Sequence, residues 1–236
     1  MTCAIVWAGV LPAAHAEGWK GVGELGFALA RGNSRSENLN ASLGFNFEDA
    51  QWKHELYAKV LRTKGEVVVN GREAFELSAN RFELGGASGY KLSELSYLSG
   101  SLRYENDDFA AFENQVTVAA SYGMYLIKSE TTELNFEAGP GFRRAKLIGG
   151  DTESNLIGRG FVSFKSQLTE TTQFLNSFLV EAGSDNTSMQ NDLGVAVKVS
   201  DALALKTVFQ LRHNTDVPAG VEKTDRLLIT NLVYSF

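Results

Sequence analysis

Arg226-Leu-Leu-Ile-Thr-Asn-Leu-Val-Tyr-Ser-Phe236 closes the chain with the two-residue period of a β-strand. One face of this strand is largely apolar and carries Leu228, Thr230, Leu232, Tyr234 and Phe236. The opposite face carries Asn231 and Ser235. A free C-terminal aromatic ring is well placed at a membrane interface if the strand closes a β-barrel. A soluble β-sandwich that ends on its last strand would give the same pattern, so this segment alone leaves both folds open.

Composition places the chain among folded proteins of one domain. Its 236 residues are 44% hydrophobic and 21% charged, which is too apolar for a disordered chain. The net charge of -6 and the lack of any basic run argue against a nucleic-acid partner.

The first sixteen residues resemble a secretory signal peptide. A short apolar run at 4–13 precedes Ala14-His15-Ala16, a small-x-small cleavage site. No Lys or Arg precedes the run, which departs from the usual signal pattern. We therefore expect a cleaved signal at 1–16 and a barrel domain at 17–236. Cys3 lies in the cleaved part, so the mature chain would lack a thiol nucleophile, a disulfide or a cysteine metal site.

Alternation of apolar and polar residues continues through the rest of the chain and predicts about twelve strands, an even number as bacterial barrels require. The parity changes near Asn80-Arg81, which predicts a β-bulge. Pro140 has no N–H to donate, so a local break in the ladder is expected there.

The connections alternate between short and longer segments. Short turns such as Asp49-Ala50 and 128–133 alternate with longer loops such as 64–72 and 214–224. This alternation is typical of an antiparallel up-and-down transmembrane β-barrel, with short periplasmic turns at one rim. Aromatic residues near the turn ends are consistent with a membrane-interface girdle. They are Trp19, Trp52, Tyr90, Tyr125, Phe174, Tyr234 and Phe236.

Several short motifs resemble those of the YdiY-like family of salt-induced outer-membrane proteins. They are Gly32-Asn33-Ser34 followed by Asn38, then Arg103-Tyr-Glu-Asn-Asp-Asp-Phe109, Gly139-Pro-Gly-Phe-Arg143 and the closing Tyr234-Ser-Phe236. The resemblance implies a barrel in the bacterial outer membrane, in contact with membrane lipid and lipopolysaccharide, and it implies no catalytic residues. Leu232, Tyr234 and Phe236 also resemble the C-terminal signal that the barrel-assembly machinery recognises.

Many charged residues share the face opposite the apolar one, and a midplane Lys or Arg facing lipid would cost about 2–4 kcal/mol. We therefore expect them to line the barrel interior. They are Lys20, Glu24, Lys53, Glu55, Lys59, Arg103, Glu105, Glu137, Arg143, Arg159, Lys165, Lys198, Lys206 and Arg212. Two interpretations stay open: a narrow pore for ions or small solutes with a mixed-charge lumen, or a non-conducting barrel closed by its own ion pairs, with a structural role under envelope stress.

Enzymatic chemistry has little support in this sequence, and we expect neither an enzyme nor a cofactor. After signal cleavage only His54 and His213 remain, and they are predicted at opposite rims. His213 with Thr215 distantly resembles the His-Ser pair of an outer-membrane phospholipase, but no orienting residue is identifiable. Acidic loop residues such as Asp151 and Glu153 lack the ligand spacing of a calcium loop.

Overall fold

Twelve antiparallel strands form one closed barrel, in which each strand pairs with its sequence neighbours and β1 pairs with β12. The computed structural model describes residues 18–30, 36–69, 72–108, 110, 112–148, 150–217 and 222–236. The predicted signal peptide lies outside these residues. The strands are β1 (Lys20–Ala30), β2 (Ser36–Glu48), β3 (Trp52–Val69), β4 (Arg72–Lys91), β5 (Ser96–Asp107), β6 (Phe112–Lys128), β7 (Thr132–Leu147), β8 (Thr152–Gln167), β9 (Thr172–Gly183), β10 (Thr187–Lys198), β11 (Leu203–Asn214) and β12 (Thr224–Ser235). The prediction of about twelve antiparallel strands is confirmed.

The outer surface carries an apolar band of bilayer thickness. On β3 the outward residues run from Trp52 to Val60, and the next outward residue is Arg62. The same order recurs on β7, where Arg144 follows Phe142, and on β12, where Arg226 follows Leu228 toward the loop end. Ten residues of a strand tilted by about 40° rise about 25 Å, the height of the apolar band of outer-membrane barrels. Among the residues with described structure, no helix is long and apolar enough to cross a membrane.

The strands at the loop rim are longer than the sequence pattern indicates. β3 and β4 contain 18 and 20 residues and form one long hairpin, with β3 ending at Val69 and β4 beginning at Arg72. The predicted loop at 64–72 is therefore wrong, because most of it continues the two strands. The predicted bulge is present just before Asn80: Thr63 pairs with Ala79 and Lys64 with Leu77, which leaves Ser78 as the extra residue.

Pro140 interrupts the ladder between β6 and β7 without shifting its register. Ala119 pairs with Gly141 and Tyr122 with Ala138, and no pair is formed between these two positions. The missing N–H of proline accounts for the gap. The two strands approach closely here, since a Cβ at Gly139 would lie 2.0 Å from the Ala120 carbonyl oxygen.

The C-terminal residue closes the barrel at the short-turn rim. The N–H of Gly21 donates to the Phe236 carbonyl at 2.8 Å, and the N–H of Phe236 donates to the Gly21 carbonyl at 2.9 Å. Leu232, Tyr234 and Phe236 point outward and are 51%, 51% and 59% exposed. Most of the predicted girdle aromatics also lie on the outer surface, where Trp52 contacts the ring of Tyr90 at 5.1 Å.

Tyr125 differs from the girdle prediction. Its hydroxyl accepts a hydrogen bond from Lys53 Nζ at 3.5 Å, and its ring lies 5.8 Å from that of the buried Tyr97. Both contacts are on the interior side of the barrel. The physical reason is strand parity, because Tyr125 follows Ser121 and Gly123 on the inward positions of β6.

Candidate functional site: the charged lumen

The charged residues predicted for the interior occupy inward positions of their strands. Seven of them are buried: Glu24, Arg103, Glu105, Glu137, Arg143, Arg159 and Lys206. Five others on inward positions are partly exposed: Lys53, Glu55, Lys59, Lys165 and Arg212. Lys20 and Lys198 lie at the short-turn rim, where Lys198 Nζ pairs with Asp201 at 2.8 Å. The structure therefore places these residues on one continuous inner surface, but it gathers them into separate clusters.

The central cluster bridges strands that are not neighbours in the sheet. Arg103 on β5 contacts Glu181 on β9 at 2.5 Å and Glu105 at 2.8 Å. Arg212 on β11 contacts Glu105 at 2.5 Å. Because β9 and β11 lie four and six strands from β5 in the sheet order, these ion pairs cross the lumen. We call Arg103, Glu105, Glu181 and Arg212 the transverse network.

Neutral side chains and further charges extend the transverse network toward the loop rim. Gln115 donates to Glu105 at 3.0 Å, which gives this fully buried carboxylate a third donor. Arg81 on β4 donates to Gln210 on β11 at 3.0 Å, a second connection across the barrel. Gln210 in turn donates to Asp192 at 2.8 Å. A buried carboxylate needs several donors to remain ionised, and Glu105 has them.

A second cluster lies nearer the short-turn rim. Arg159 pairs with Glu137 at 2.9 Å, and the Tyr97 hydroxyl donates to Glu137 at 2.6 Å while it accepts from the Asn135 amide at 2.7 Å. The Lys53 ammonium lies 3.2 Å from the centroid of the Tyr97 ring, a cation–π contact. This cluster fills the interior with an aromatic ring as well as with charge.

A third cluster lies beside the seam between β1 and β12. Lys206 on β11 forms an ion pair with Glu24 on β1, and the Asn231 amide donates to the same carboxylate at 2.9 Å. Asn40 on β2 donates to the Asn231 side-chain oxygen at 3.1 Å. Side chains of four strands thus connect on the inner side of the seam.

At the loop rim, Arg143 contacts two groups of the β9–β10 connection. Its guanidinium contacts the Asp185 carboxylate at 3.2 Å and donates to the Asn186 carbonyl at 2.8 Å. Partial burial works against ionisation of Asp185, but the charge of Arg143 outweighs it and holds the pKa of Asp185 below its usual range.

Sequence reasoning missed several interior residues. Glu181, Arg81 and Glu83 share inward parity with residues that the pattern did identify, and Glu181 completes the transverse network. Continuing the alternation along β4 and β9 would have found all three. Tyr57 and Tyr97 are also inward and almost fully buried. Tyr57 alternates with the inward residues Glu55 and Lys59 on β3, so strand parity marks it as interior although most aromatic residues face outward.

The residues considered for enzymatic chemistry are not assembled. His213 Nδ1 lies 2.8 Å from Thr224 Oγ1, whereas Thr215 Oγ1 donates to Asn186 at 3.2 Å. His54 lies at the other rim, on the outer surface, and stacks on Trp52 at 5.7 Å. Within the described ranges, no group of three or more His, Cys, Asp or Glu side chains is arranged to hold a metal ion.

Comparison with known proteins identifies the family. A family model described as "Protein of unknown function, DUF481" matches residues 23–236. The chain belongs to this family. Uncharacterized protein YdiY of Escherichia coli (strain K12) is 23% identical over 225 residues, which cover 95% of this chain and 86% of YdiY. The resemblance inferred from the sequence motifs is thereby confirmed.

Solved structures with the same fold are outer-membrane barrels. The COG4313 outer membrane channel from Pseudomonas putida F1 gives a TM-score of 0.56 at 8% identity, with 95% of this chain and 97% of that chain covered. The translocator domain of autotransporter NalP from Neisseria meningitidis gives 0.55 at 11% identity, with 95% and 90% covered. The NanC porin gives 0.53 at 7% identity, with 92% and 98% covered. At these identities the likeness concerns the fold.

Proposed function

We propose that this family member is an outer-membrane channel that conducts small ions or solutes through a narrow lumen of mixed charge. The transverse network carries the proposal. Arg103, Glu105, Glu181 and Arg212 place both signs of charge across the barrel interior. A polar constriction of this kind discriminates by size and hydration and selects only weakly by charge.

The outer-membrane location is part of this proposal. It is supported by the apolar band of about 25 Å and by the outer-membrane neighbours of the fold. The exposed arginines Arg62, Arg144 and Arg226 at the loop end of the band suit contact with the phosphates of lipopolysaccharide. Cell fractionation tests the location: the mature chain should sediment with outer-membrane vesicles.

Single-channel recording in planar bilayers tests conduction. Refolded mature protein should give small, discrete conductance steps with a reversal potential near zero in a salt gradient. A protein that inserts correctly and stays silent would contradict the channel. Insertion is checked independently by a heat-modifiable shift on a gel.

A second candidate function is a non-conducting barrel that supports the envelope under osmotic stress. The same bridges favour it, because Arg103–Glu181 and Arg212–Glu105, both at 2.5 Å, join opposite walls and leave no room for an ion at those points. The Glu105→Gln, Glu181→Gln double variant separates the candidates. If the native protein is silent and the variant conducts, the network seals the barrel; if both conduct, the network is a constriction. A salt-dependent change in expression would support the envelope role.

We further propose that the protein acts without enzymatic chemistry.

We also propose that the last strand is recognised by the barrel-assembly machinery. Outward-facing Leu232, Tyr234 and Phe236 form an apolar stripe on β12, and the Tyr234 and Phe236 rings stack at 5.8 Å. Deletion of Phe236 should leave the protein in the periplasm, whereas Ser235→Ala should assemble normally. Normal assembly of the deletion variant would remove support for this role.

A further inference from the structure

Polar side chains interrupt the apolar outer surface on one side of the barrel. They occupy outward positions of β9 to β12, and we call them the polar face: Asn176, Asn191, Thr207 and Thr230. On β5, β6 and β7 the outward positions within 98–104, 116–124 and 134–142 hold apolar or aromatic side chains, or glycine. A polar group that faces lipid is costly unless another polar group satisfies it.

Two residues of the polar face lie near the middle of the apolar band and at the same height. Asn176 is the fifth residue of β9 and Thr207 is the fifth residue of β11, and both strands begin at the short-turn rim. From the first to the fifth residue, a strand tilted by about 40° rises about 10 Å, within a band of about 25 Å. Lipid chains at this depth offer no hydrogen-bond donor or acceptor. A protein partner is the remaining source of one.

The hydrogen bonds of the polar face are incomplete. Asn176 Nδ2 donates to the Asp192 carbonyl at 3.3 Å, and Asn191 Nδ2 donates to the main chain of β9 in the same way at 3.1 Å. Within the described ranges, the Oδ1 atoms of these two asparagines have no donor. The hydroxyls of Thr207 and Thr230 are 3.1 Å apart, and their bond uses one of two hydroxyl hydrogens. The polar face thus offers both acceptors and a donor to a partner.

The arrangement of these groups is complementary to itself. β10 lies between β9 and β11 in the sheet. In a two-fold dimer whose axis is parallel to the membrane normal, both copies keep the same depth. If this axis passes beside β10, Asn176 of each copy faces Thr207 of the other at the same height, and a threonine hydroxyl supplies the donor that the amide oxygen lacks. Asn191 lies on β10 itself and faces its own copy, and an amide both donates and accepts.

We propose that the outer face of β9 to β11 binds a second copy of this chain, and that the two barrels form a two-fold dimer in the membrane. Leu193 and Val195, which are 42% and 39% exposed on β10, lie nearest the axis and provide the apolar contact. The partner is a second copy because its matching polar groups necessarily lie at the same depth. The inference rests on the membrane location proposed above and does not require conduction.

Single cysteines test the position of the axis, and the mature chain would contain no other cysteine. In oxidised vesicles, Leu193→Cys should form a covalent dimer at least about tenfold faster than Leu84→Cys, because a disulfide needs close Cβ atoms. Leu84 is also exposed on the outer surface, but it lies on β4, six strands from β10 and thus on the opposite side. Vesicle flotation and the heat-modifiable shift check insertion separately. Failure to insert would overturn the membrane location, whereas equal rates for two inserted variants would overturn the dimer alone.

Energy transfer between labelled barrels, measured as vesicle lipid is added, tests the polar contacts. A hydrogen bond between membrane-embedded segments contributes modestly, but the axis repeats it. Asn176→Leu should therefore raise the dimer dissociation constant about fivefold to tenfold. Thr207→Val should have a similar effect, and the double variant should add little, because both changes remove the same bond.

Ser88→Ala is the matched control, since it changes an outward polar side chain on β4 and should leave the dimer dissociation constant unchanged. The Asn176→Leu monomer should stay folded, with an unchanged heat-modifiable shift, because leucine suits lipid better than asparagine. A dissociation constant unaffected by Asn176→Leu would overturn the proposal. So would a Leu193→Cys adduct formed in cells with a mass other than twice that of the barrel, which would identify a different partner.

Discussion

Replacement of Glu105 by glutamine should destabilise the barrel through the transverse network. The Glu105 side chain is fully buried and accepts from Arg103 at 2.8 Å, Arg212 at 2.5 Å and Gln115 at 3.0 Å. Removing one partner of a buried ion pair costs about 3–5 kcal/mol. Arg103 keeps Glu181, and among the described residues the remaining ion pair of Arg212 is with Asp107, at 3.6 Å. We therefore expect the free energy of unfolding to fall by about 3 kcal/mol, the lower end of that range.

Urea titration of the refolded protein in lipid vesicles measures this loss, with the fluorescence of the mature chain's tryptophans as the signal. Glu94→Gln is the matched control, since its carboxylate lies in an exposed turn and should change the stability by less than about 0.5 kcal/mol. A double-mutant cycle with Arg212→Met isolates the pair, and we expect a coupling of about 1–3 kcal/mol. A Glu105→Gln loss no larger than that of the control, or a coupling near zero, would refute the assignment of the network as a structural bridge.

The same variant tests the role of the network in selectivity, provided that the native protein conducts. Loss of one carboxylate leaves the network with one extra positive charge. For an ion passing at about 5 Å in water this charge is worth about 0.8 kcal/mol, reduced to about 0.5 kcal/mol by screening at 0.1 M salt. The charge favours an anion and disfavours a cation by this same amount, so the two differ by about 1 kcal/mol. The ratio of anion to cation permeability should therefore rise about fivefold. An unchanged reversal potential in a tenfold KCl gradient would place the network outside the ion path.

Three further perturbations test the wall of the barrel. Gly21→Leu should impair closure because a Cβ there would lie 2.3 Å from the Phe236 ring, whereas Gly23→Leu meets no atom within 4 Å; the heat-modifiable gel shift should be lost only in the first. Leu56→Arg, on the lipid-facing side, should lower the free energy of unfolding in vesicles by about 2–4 kcal/mol, and a neutral effect would contradict a bilayer position. Asp49→Ala should lower the urea midpoint at pH 7, because two backbone N–H groups of its turn donate to the Asp49 carboxylate and hold its pKa below the usual range. That contribution to stability is present above the ordinary Asp pKa of about 3.9 and is lost as the pH falls through the lower folded-state pKa. The urea midpoints of the native protein and of the Asp49→Ala variant should therefore converge in acid.

The strand pattern predicted the fold because each strand contains the information for its own two faces. Alternation along β5 marks Arg103 and Glu105 as inward without knowledge of any other strand. The strand pattern does not identify the partners of these two residues. Glu181 is 78 residues from Arg103, and Arg212 is 107 residues from Glu105. Such pairs depend on closure of the whole barrel, which fixes which strands oppose one another.

The errors at 64–72 and at Tyr125 have separate causes. The predicted loop at 64–72 rests on three turn-forming residues, Gly65, Asn70 and Gly71. The ladder of the hairpin nevertheless continues through Gly65, because the residues on both sides of Gly65 are paired with β4. The girdle prediction for Tyr125 rests on its distance from the turn, although its position on β6 places it inside. Strand parity is therefore a better guide than rim position when the two disagree.

Local sequence could not indicate how far the seam between β1 and β12 is paired. In the described parts of these strands it forms four register pairs, from Val22–Ser235 to Leu25–Leu232. The apolar face of β12 continues through Leu228, and β1 pairs with β2 along its whole length. The pattern of neither strand therefore shows where the pairing between β1 and β12 ends. What differs is the contact between them, where Gly26 lies against the side chain of Asn231 and the carbonyl oxygen of Thr230. Asn231 is held by Glu24 and Asn40, and Glu24 is held by Lys206. The cluster thus fixes the last point of closure, and shortening it by Asn231→Ala should extend the unpaired edge toward Leu232, which faster amide exchange at Leu25 and Leu232 would reveal.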